Sequence, residues 1–315
     1  MESSVISLNE ETEKARAKAE EIIRKYLPEE SIVPGRIVSA MNYSVLAGGK
    51  RVRPILILKS YELYGGTDMS LAGPFAAAIE MIHTSSLVHD DLPAIDNDEY
   101  RRGRKTTHAV YGPAIGVLAG DTLMNYAYET VMHAYSSAAL PDSDVPADAE
   151  RDRRVTRALQ ILLAKTGISG MLGGQSLDVE NEKNGVLSVT KETLDYIYLH
   201  KTAALLEAPL MIGAVLGGAP EGDVKLLEQA GRKAGLAFQI RDDVLDVTKT
   251  TEEIGKPAGS DEANGKTTYV TLMGTEGAAK EAERLTGEAL GLIGRLPGNT
   301  DFLREYLGAL ARREH

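Results

Sequence analysis

Nearly every segment longer than about ten residues spaces its apolar positions with helical rather than alternating period, and the interruptions fall at glycine and proline clusters. No two segments read as a strand pair, and neither a short repeat nor an interdomain linker divides the chain. The pattern predicts an all-α fold, one domain over residues 1–315. Helices are expected from near Asn9 to before Pro28, from Pro34 to Ala47 and from Ser70 to Asp91. Ala114 to Ala139 reads as one broken helix or two short ones around Gly120-Asp121. A long helix then reaches Gly170, with Gly173-Gly174-Gln175 near its end and a loop from Glu182 to Leu187. Another starts at Thr190 and carries His200-Lys201-Thr202 to about Gly217. Glu221 to Val247, Tyr269 to Leu296 and Asp301 to Arg313 complete the series.

The most constraining chemistry sits where one of these helices stops. Asp90, Asp91, Asp96, Asp98 and Glu99 put five carboxylates into ten residues behind an apolar run, followed at once by Arg101-Arg102. Such carboxylates repel by about 1 kcal/mol per pair in water and about 4 kcal/mol near a protein surface, so a cation is expected among them. Oxygen ligands with no histidine or cysteine beside them suit Mg2+, which completes its shell with water and substrate phosphates. The pattern returns in Gln239-Ile240-Arg241-Asp242-Asp243-Val244-Leu245-Asp246, where Asp242 and Asp246 share one helical face. Two such clusters on separate helices are expected to face each other and hold metal between them.

A net charge of −11 argues against a nucleic-acid partner, which needs a basic footprint. An acidic protein that takes a polyphosphate needs metal ions and a local basic patch. Gly48-Gly49-Lys50-Arg51-Val52-Arg53-Pro54 supplies such a patch, with glycines that let backbone approach an anion and arginines that fork onto phosphate. Gly265-Lys266-Thr267 looks like the tail of a phosphate-binding loop, but Ser260 stands where that motif needs glycine. The polar stretch 248–268 reads instead as a mobile lid that brings lysines to phosphate.

The absence of cysteine fits a reducing compartment, and Met1 to Ile6 shows no basic region followed by an apolar core, so a cytoplasmic location is expected. The most apolar stretch, Ala203 to Gly218, contains Glu207 and Pro209 and falls short of about 18 clean apolar residues, so no membrane span is expected.

From about Tyr43 to Thr268 the chain resembles the all-trans prenyl diphosphate synthases, the farnesyl and geranylgeranyl diphosphate synthase group. The resemblance rests on the Gly-Gly-Lys-Arg-Val-Arg-Pro segment, both aspartate motifs, His200-Lys201-Thr202, Gln239 and Gly255-Lys256-Pro257, in order. It implies a bundle of roughly 10–13 helices around a central cavity, a homodimer, and condensation of isopentenyl diphosphate with an allylic diphosphate. By the same resemblance, Asp90, Asp91, Asp96, Asp242, Asp243 and Asp246 hold three Mg2+ ions on the allylic diphosphate. Arg101, Lys201, Lys256 and Lys266 bind that diphosphate, while Lys50, Arg53, His83 and Arg102 bind isopentenyl diphosphate. Lys201, Thr202 and Gln239 turn their dipoles to the developing cation, and the departed diphosphate takes the final proton.

Resemblance also makes Ser85 and Ser86 the floor under the growing chain. On a helix Ser85 lies about 7.5 Å below Asp90, so a small residue there predicts an open pocket and geranylgeranyl diphosphate as product. The alternatives are a farnesyl product, a longer chain, or two serines that merely allow close helix packing. By themselves Gln175 and Asp178 read as structural. A helical phosphohydrolase, suggested by His89-Asp90, lacks a second histidine pair at helical spacing, and a non-catalytic partner subunit would not keep both aspartate motifs intact.

Overall fold

The computed structural model describes residues 2–31, 35–135, 148–184, 190–249 and 267–312. In chain order they form α1 (Glu2–Tyr26), α2 (Gly35–Val45), α3 (Val52–Leu63), α4 (Met69–Asp90), β1 (Tyr100–Arg101), β2 (Arg104–Lys105), α5 (Thr107–Tyr111) and α6 (Pro113–Val131), which runs into a 3-10 turn at Met132–Ala134. There follow α7 (Ala149–Thr166), α8 (Met171–Asn184), α9 (Lys191–Ile197), a π-helical segment Tyr198–Ala203, α10 (Ala204–Gly217), α11 (Glu221–Thr248), α12 (Tyr269–Ile293) and α13 (Asp301–Arg312). The fold is all-α. One strand pair that the sequence did not suggest is present, a ladder of two residues on each side with Tyr100 opposite Lys105 and Arg101 opposite Arg104.

The chain divides into two compact units, Met1–Leu159 with Leu216–Gly218, and Gln160–Val215 with Ala219–His315. In the first, α4 is the central helix. Asp68 caps it by accepting the Ser70 N–H at 2.8 Å, and Phe75, Ile79, Met81 and Ile82 are wholly buried in packing that includes α3 and α6. Burying four such side chains contributes roughly 6–12 kcal/mol before entropy is charged. The expected break at Gly120-Asp121 does not occur. Gly120 instead lies directly against the His89 ring, where a Cβ has no room, so the glycine serves close packing of α6 on α4.

The second unit is built on α11 and α12, with Leu194, Ile197, Ile240, Val244, Tyr269 and Leu285 in its core. Gly173 and Gly174 do not close a long helix; α7 ends at Thr166 and these glycines lie in the first turn of α8. Gly174 packs on the backbone of Lys201 and Gly235 of α11 on Ala203, so two glycines let neighbouring helices approach the π segment. The first helix also begins well before Asn9, which is interior to α1 rather than its cap.

Two helical runs are apolar over a longer window than the stretch Ala203 to Gly218 on which no membrane span was expected. Met69–Asp90 and the run Lys191–Gly217 pass a length and composition test for membrane spans, but 83% and 78% of their apolar windows are buried inside the structure. Their apolarity serves the two cores.

Candidate active site

In the first unit α4 delivers its C-terminal aspartates and the chain then folds back on itself. The Asp96 N–H donates to the Asp90 carbonyl at 2.9 Å and the Asp98 N–H to the Asp91 carbonyl at 3.2 Å, with Asn97 in a left-handed conformation (φ 56°) between them. This returns Asp96 to the helix end beside Asp90. Asp91 is buried at 4% exposure and accepts Arg101 Nε at 2.6 Å and Nη2 at 2.5 Å. Burial pushes the Asp91 carboxyl above its ordinary value, against the pull of Arg101.

Arg102 and Gly103 are the two turn residues of the hairpin, both with positive φ (54° and 74°). The turn sends successive arginines in different directions: Arg101 to the acidic motif, Arg102 to the glycine loop. Arg102 donates to the Gly48 carbonyl, and a Cβ on Gly49 would stand 2.6 Å from its Nη1. Glycine at position 49 is therefore required for this approach. Lys50 is exposed and Arg53 half-buried. Arg51, which the sequence reading counted among the phosphate-directed cations, points inward and is buried.

His83, on α4 behind this loop, is half-buried and its Nδ1 is buried without a hydrogen-bond partner. Burial, and then the charges of Arg53, Arg102, Arg101 and Arg51, hold its pKa well below the ordinary histidine value. A neutral imidazole among cations is an environment that an anion would stabilise. Ser85 has no exposed surface and donates to the Ile82 carbonyl at 2.7 Å; Ser86 donates to His83 at 2.8 Å and keeps part of its surface open. Of the two serines, only Ser86 keeps accessible surface.

In the second unit the π segment places Lys201 and Thr202. Lys201 Nζ lies 2.5 Å from Asp178 Oδ2, and Thr202 Oγ1 donates to Gln239 Oε1 at 3.0 Å. The resemblance named Thr202 and Gln239 side by side without a bond between them, and Asp178, read by itself as structural, is here the partner of Lys201, which a single aspartate in a helix does not signal. A π turn inside a helix is itself a frequent mark of a functional site.

Asp242, Asp243 and Asp246 differ in their surroundings. Asp243 is 2% exposed, and its Oδ2 accepts both the Tyr198 hydroxyl at 2.7 Å and the Tyr269 N–H at 3.0 Å. Asp242 is half-buried, and Asp246, one turn on, is buried. Among the described residues no three histidine, cysteine or carboxylate side chains already converge as a metal site. The donors available at both motifs are nonetheless carboxylate oxygens, the set that Mg2+ takes. Of the expected lid over 248–268, residues 250–266, with Lys256 and Lys266, lie outside the described residues, while Thr248 is the last residue of α11.

The model of the polyprenyl synthetase family matches residues 35–294, a span that takes in both acidic motifs, the glycine loop and the π segment. The chain belongs to the polyprenyl synthetase family. Members of this family are prenyltransferases. The large subunit 1 of a heterodimeric geranylgeranyl pyrophosphate synthase from Arabidopsis thaliana is 46% identical over 256 residues, 81% of this chain and 66% of that protein. The chain therefore spans just under two thirds of that relative's length. Among solved structures, geranylgeranyl pyrophosphate synthetase from Pyrococcus horikoshii superposes with a TM-score of 0.82 at 30% identity, over 97% of this chain and 99% of that one. A geranyltransferase from Helicobacter pylori, complexed with magnesium and isoprenyl diphosphate, gives 0.75 at 32% identity over 96% and 95%.

Proposed function

We propose that this polyprenyl synthetase joins isopentenyl diphosphate head-to-tail to dimethylallyl, geranyl and farnesyl diphosphates and releases geranylgeranyl diphosphate. The observation that carries the reading is the hairpin turn at Arg102-Gly103. It puts Arg101 on the acidic motif and Arg102 on the glycine loop, so that one rigid element serves a metal-bound diphosphate and a second, metal-free anion. The likeness to geranylgeranyl synthases in sequence and structure supports the product, as does the absence of an aromatic at Ser85 or Ser86.

When bound, Mg2+ supplies positive charge to the allylic diphosphate and lowers the barrier to its departure. Asp90 and Asp96 in the first motif and Asp242 and Asp246 in the second are the residues that would hold it, three ions in all as the family resemblance implies. Arg101 and Lys201 add fixed charge on the same leaving group, and Asp178 orients Lys201. As the allylic C–O bond breaks, the oxygens of Thr202 and Gln239 stabilise the carbocation electrostatically. The double bond of isopentenyl diphosphate, held by Lys50, Arg53, Arg102 and His83, forms the new C–C bond. Loss of a proton to the released diphosphate restores a double bond.

A homodimer in the cytoplasm is the assembly we propose. The exposed Val117 and Leu118 of α6 offer apolar surface for such an association, and the cysteine-free sequence suits a reducing compartment. The test is to incubate purified protein with Mg2+, isopentenyl diphosphate and each allylic diphosphate, and to separate products by length. A twenty-carbon product supports the proposal, a fifteen-carbon limit moves the reading to farnesyl synthesis, and no elongation overturns it.

A further inference from the structure

Between Lys50 and Arg53, which the reading above directs to isopentenyl diphosphate, stands an arginine that does the opposite. The Arg51 side chain is buried, at 1% exposure. Its Nε bonds Glu20 of α1 at 2.6 Å, its Nη1 bonds Glu80 of α4 at 2.8 Å, and its Nη2 donates to the Val45 carbonyl at the end of α2 at 2.8 Å. Its backbone is left-handed (φ 52°, ψ 36°), a conformation that costs a non-glycine residue about 1–2 kcal/mol and persists only where surroundings impose it. Burying a guanidinium costs several kcal/mol more unless its donors are matched. Only a planar fork reaches three acceptors on three elements at once.

The consequences fall on the anion pocket. Arg51 fixes the turn from the glycine loop into α3, and with it the directions in which Lys50 and Arg53 leave the chain. Glu80 lies one turn before His83 on α4, so the same ion pair sets α3 against the helix that carries His83. It also neutralises a buried carboxylate, 2% exposed, that would otherwise compete with a bound anion for Arg102. We propose that Arg51, through Glu80 and Glu20, is a positioning residue for isopentenyl diphosphate: it touches no substrate but holds Lys50, Arg53 and His83 in register. The proposal rests on the functional reading above.

The test uses the full chain with three variants: Arg51→Lys, the charge-neutral pair Arg51→Gln/Glu80→Gln, and Glu20→Gln at the partly exposed end of the network. Thermal melts show which are folded. Steady-state kinetics give KM for isopentenyl diphosphate and for geranyl diphosphate separately, and titration calorimetry gives Kd for isopentenyl diphosphate. The first two variants are expected to raise the isopentenyl KM and Kd by about tenfold or more, a loss of about 1.4 kcal/mol. The geranyl KM should stay within about twofold, and Glu20→Gln should give a smaller shift in the same direction. If both KM values rise together, the role is general stability and the proposal falls. If the neutral pair restores the isopentenyl KM, only charge cancellation mattered and it also falls. Should the first two fail to fold, an unselective or absent effect in Glu20→Gln overturns it. A wild-type protein that neither binds nor consumes isopentenyl diphosphate overturns the functional reading as well, whereas an active wild type without the selective shift overturns this inference alone.

Discussion

Tyr198 donates a 2.7 Å hydrogen bond to the oxygen of Asp243 that also accepts the backbone N–H of Tyr269. One buried carboxylate thus ties the π segment that carries Lys201 to the first residue of the helix beyond 250–266. The Tyr198 and Tyr269 rings stack at 5.7 Å, and the Tyr269 hydroxyl donates in turn to Asp195. Burial, and then Asp195, push the pKa of that hydroxyl above the ordinary tyrosine value.

Asparagine keeps an oxygen acceptor at position 243, and alanine does not. Asp243→Asn is expected to stay within about 1 kcal/mol of the parent, while Asp243→Ala, which leaves two donors buried and unmatched, loses roughly 3 kcal/mol or more. Thermal melts of the two variants decide this, and equal losses would remove the acceptor role. Tyr198→Phe should cost about 1 kcal/mol.

The 2.5 Å pair between Lys201 and Asp178 predicts a selective kinetic defect. Asp178→Asn keeps the shape but loosens the ammonium, so kcat/KM for the allylic diphosphate should fall about tenfold or more, with the KM for isopentenyl diphosphate within about threefold. Initial rates with each substrate varied in turn measure both. A defect confined to isopentenyl diphosphate would place Lys201 elsewhere.

The two serines below Asp90 are not equivalent. Tyrosine at Ser85, which has no exposed surface, must displace its neighbours and is expected to destabilise by roughly 1–3 kcal/mol or more. Tyrosine at the partly open Ser86 should instead shorten the main product by one isoprene unit at near-parental stability. Product chromatography beside a melting curve separates the outcomes, and unchanged products from Ser86→Tyr would show that another helix forms the floor.

His83 predicts a pH dependence of stability. Its folded-state pKa lies below the unfolded value of about 6.5 because burial, and then Arg53 and the other arginines, oppose protonation. Its contribution to stability is therefore complete above the unfolded value and lost as pH falls toward the folded one. Denaturant midpoints measured from neutral pH downward should decline less steeply in His83→Gln than in the parent. Added isopentenyl diphosphate should reduce the parent's slope, because a bound anion raises the histidine pKa. Parallel slopes in parent and variant would show that His83 does not titrate with folding.

Much of this was legible in the chain itself. Helical spacing of apolar residues gives the all-α class because that period is local, and the two acidic motifs are local as well: Asp242 and Asp246 share a face by helix geometry alone. That Thr202 and Gln239 belong to one site came from resemblance rather than from spacing, and their hydrogen bond, across 37 positions, is visible only in the fold. What no local pattern contains is the direction in which a side chain finally points. Arg51 and Arg53 look alike in sequence, yet one is locked among Glu20, Glu80 and Val45 while the other stays half-buried. Ser85 and Ser86 are neighbours, but only Ser85 is fully buried. Asp243 stands among the six metal ligands that the resemblance implies, and only the fold shows that its Oδ2 also accepts from Tyr198 and Tyr269. The sequence determined which chemical groups are present and on which helices, because backbone periodicity is short-ranged. Tertiary packing decided which of those groups keep open surface and which hold the frame, because burial and hydrogen-bond partners come from residues far apart in the chain.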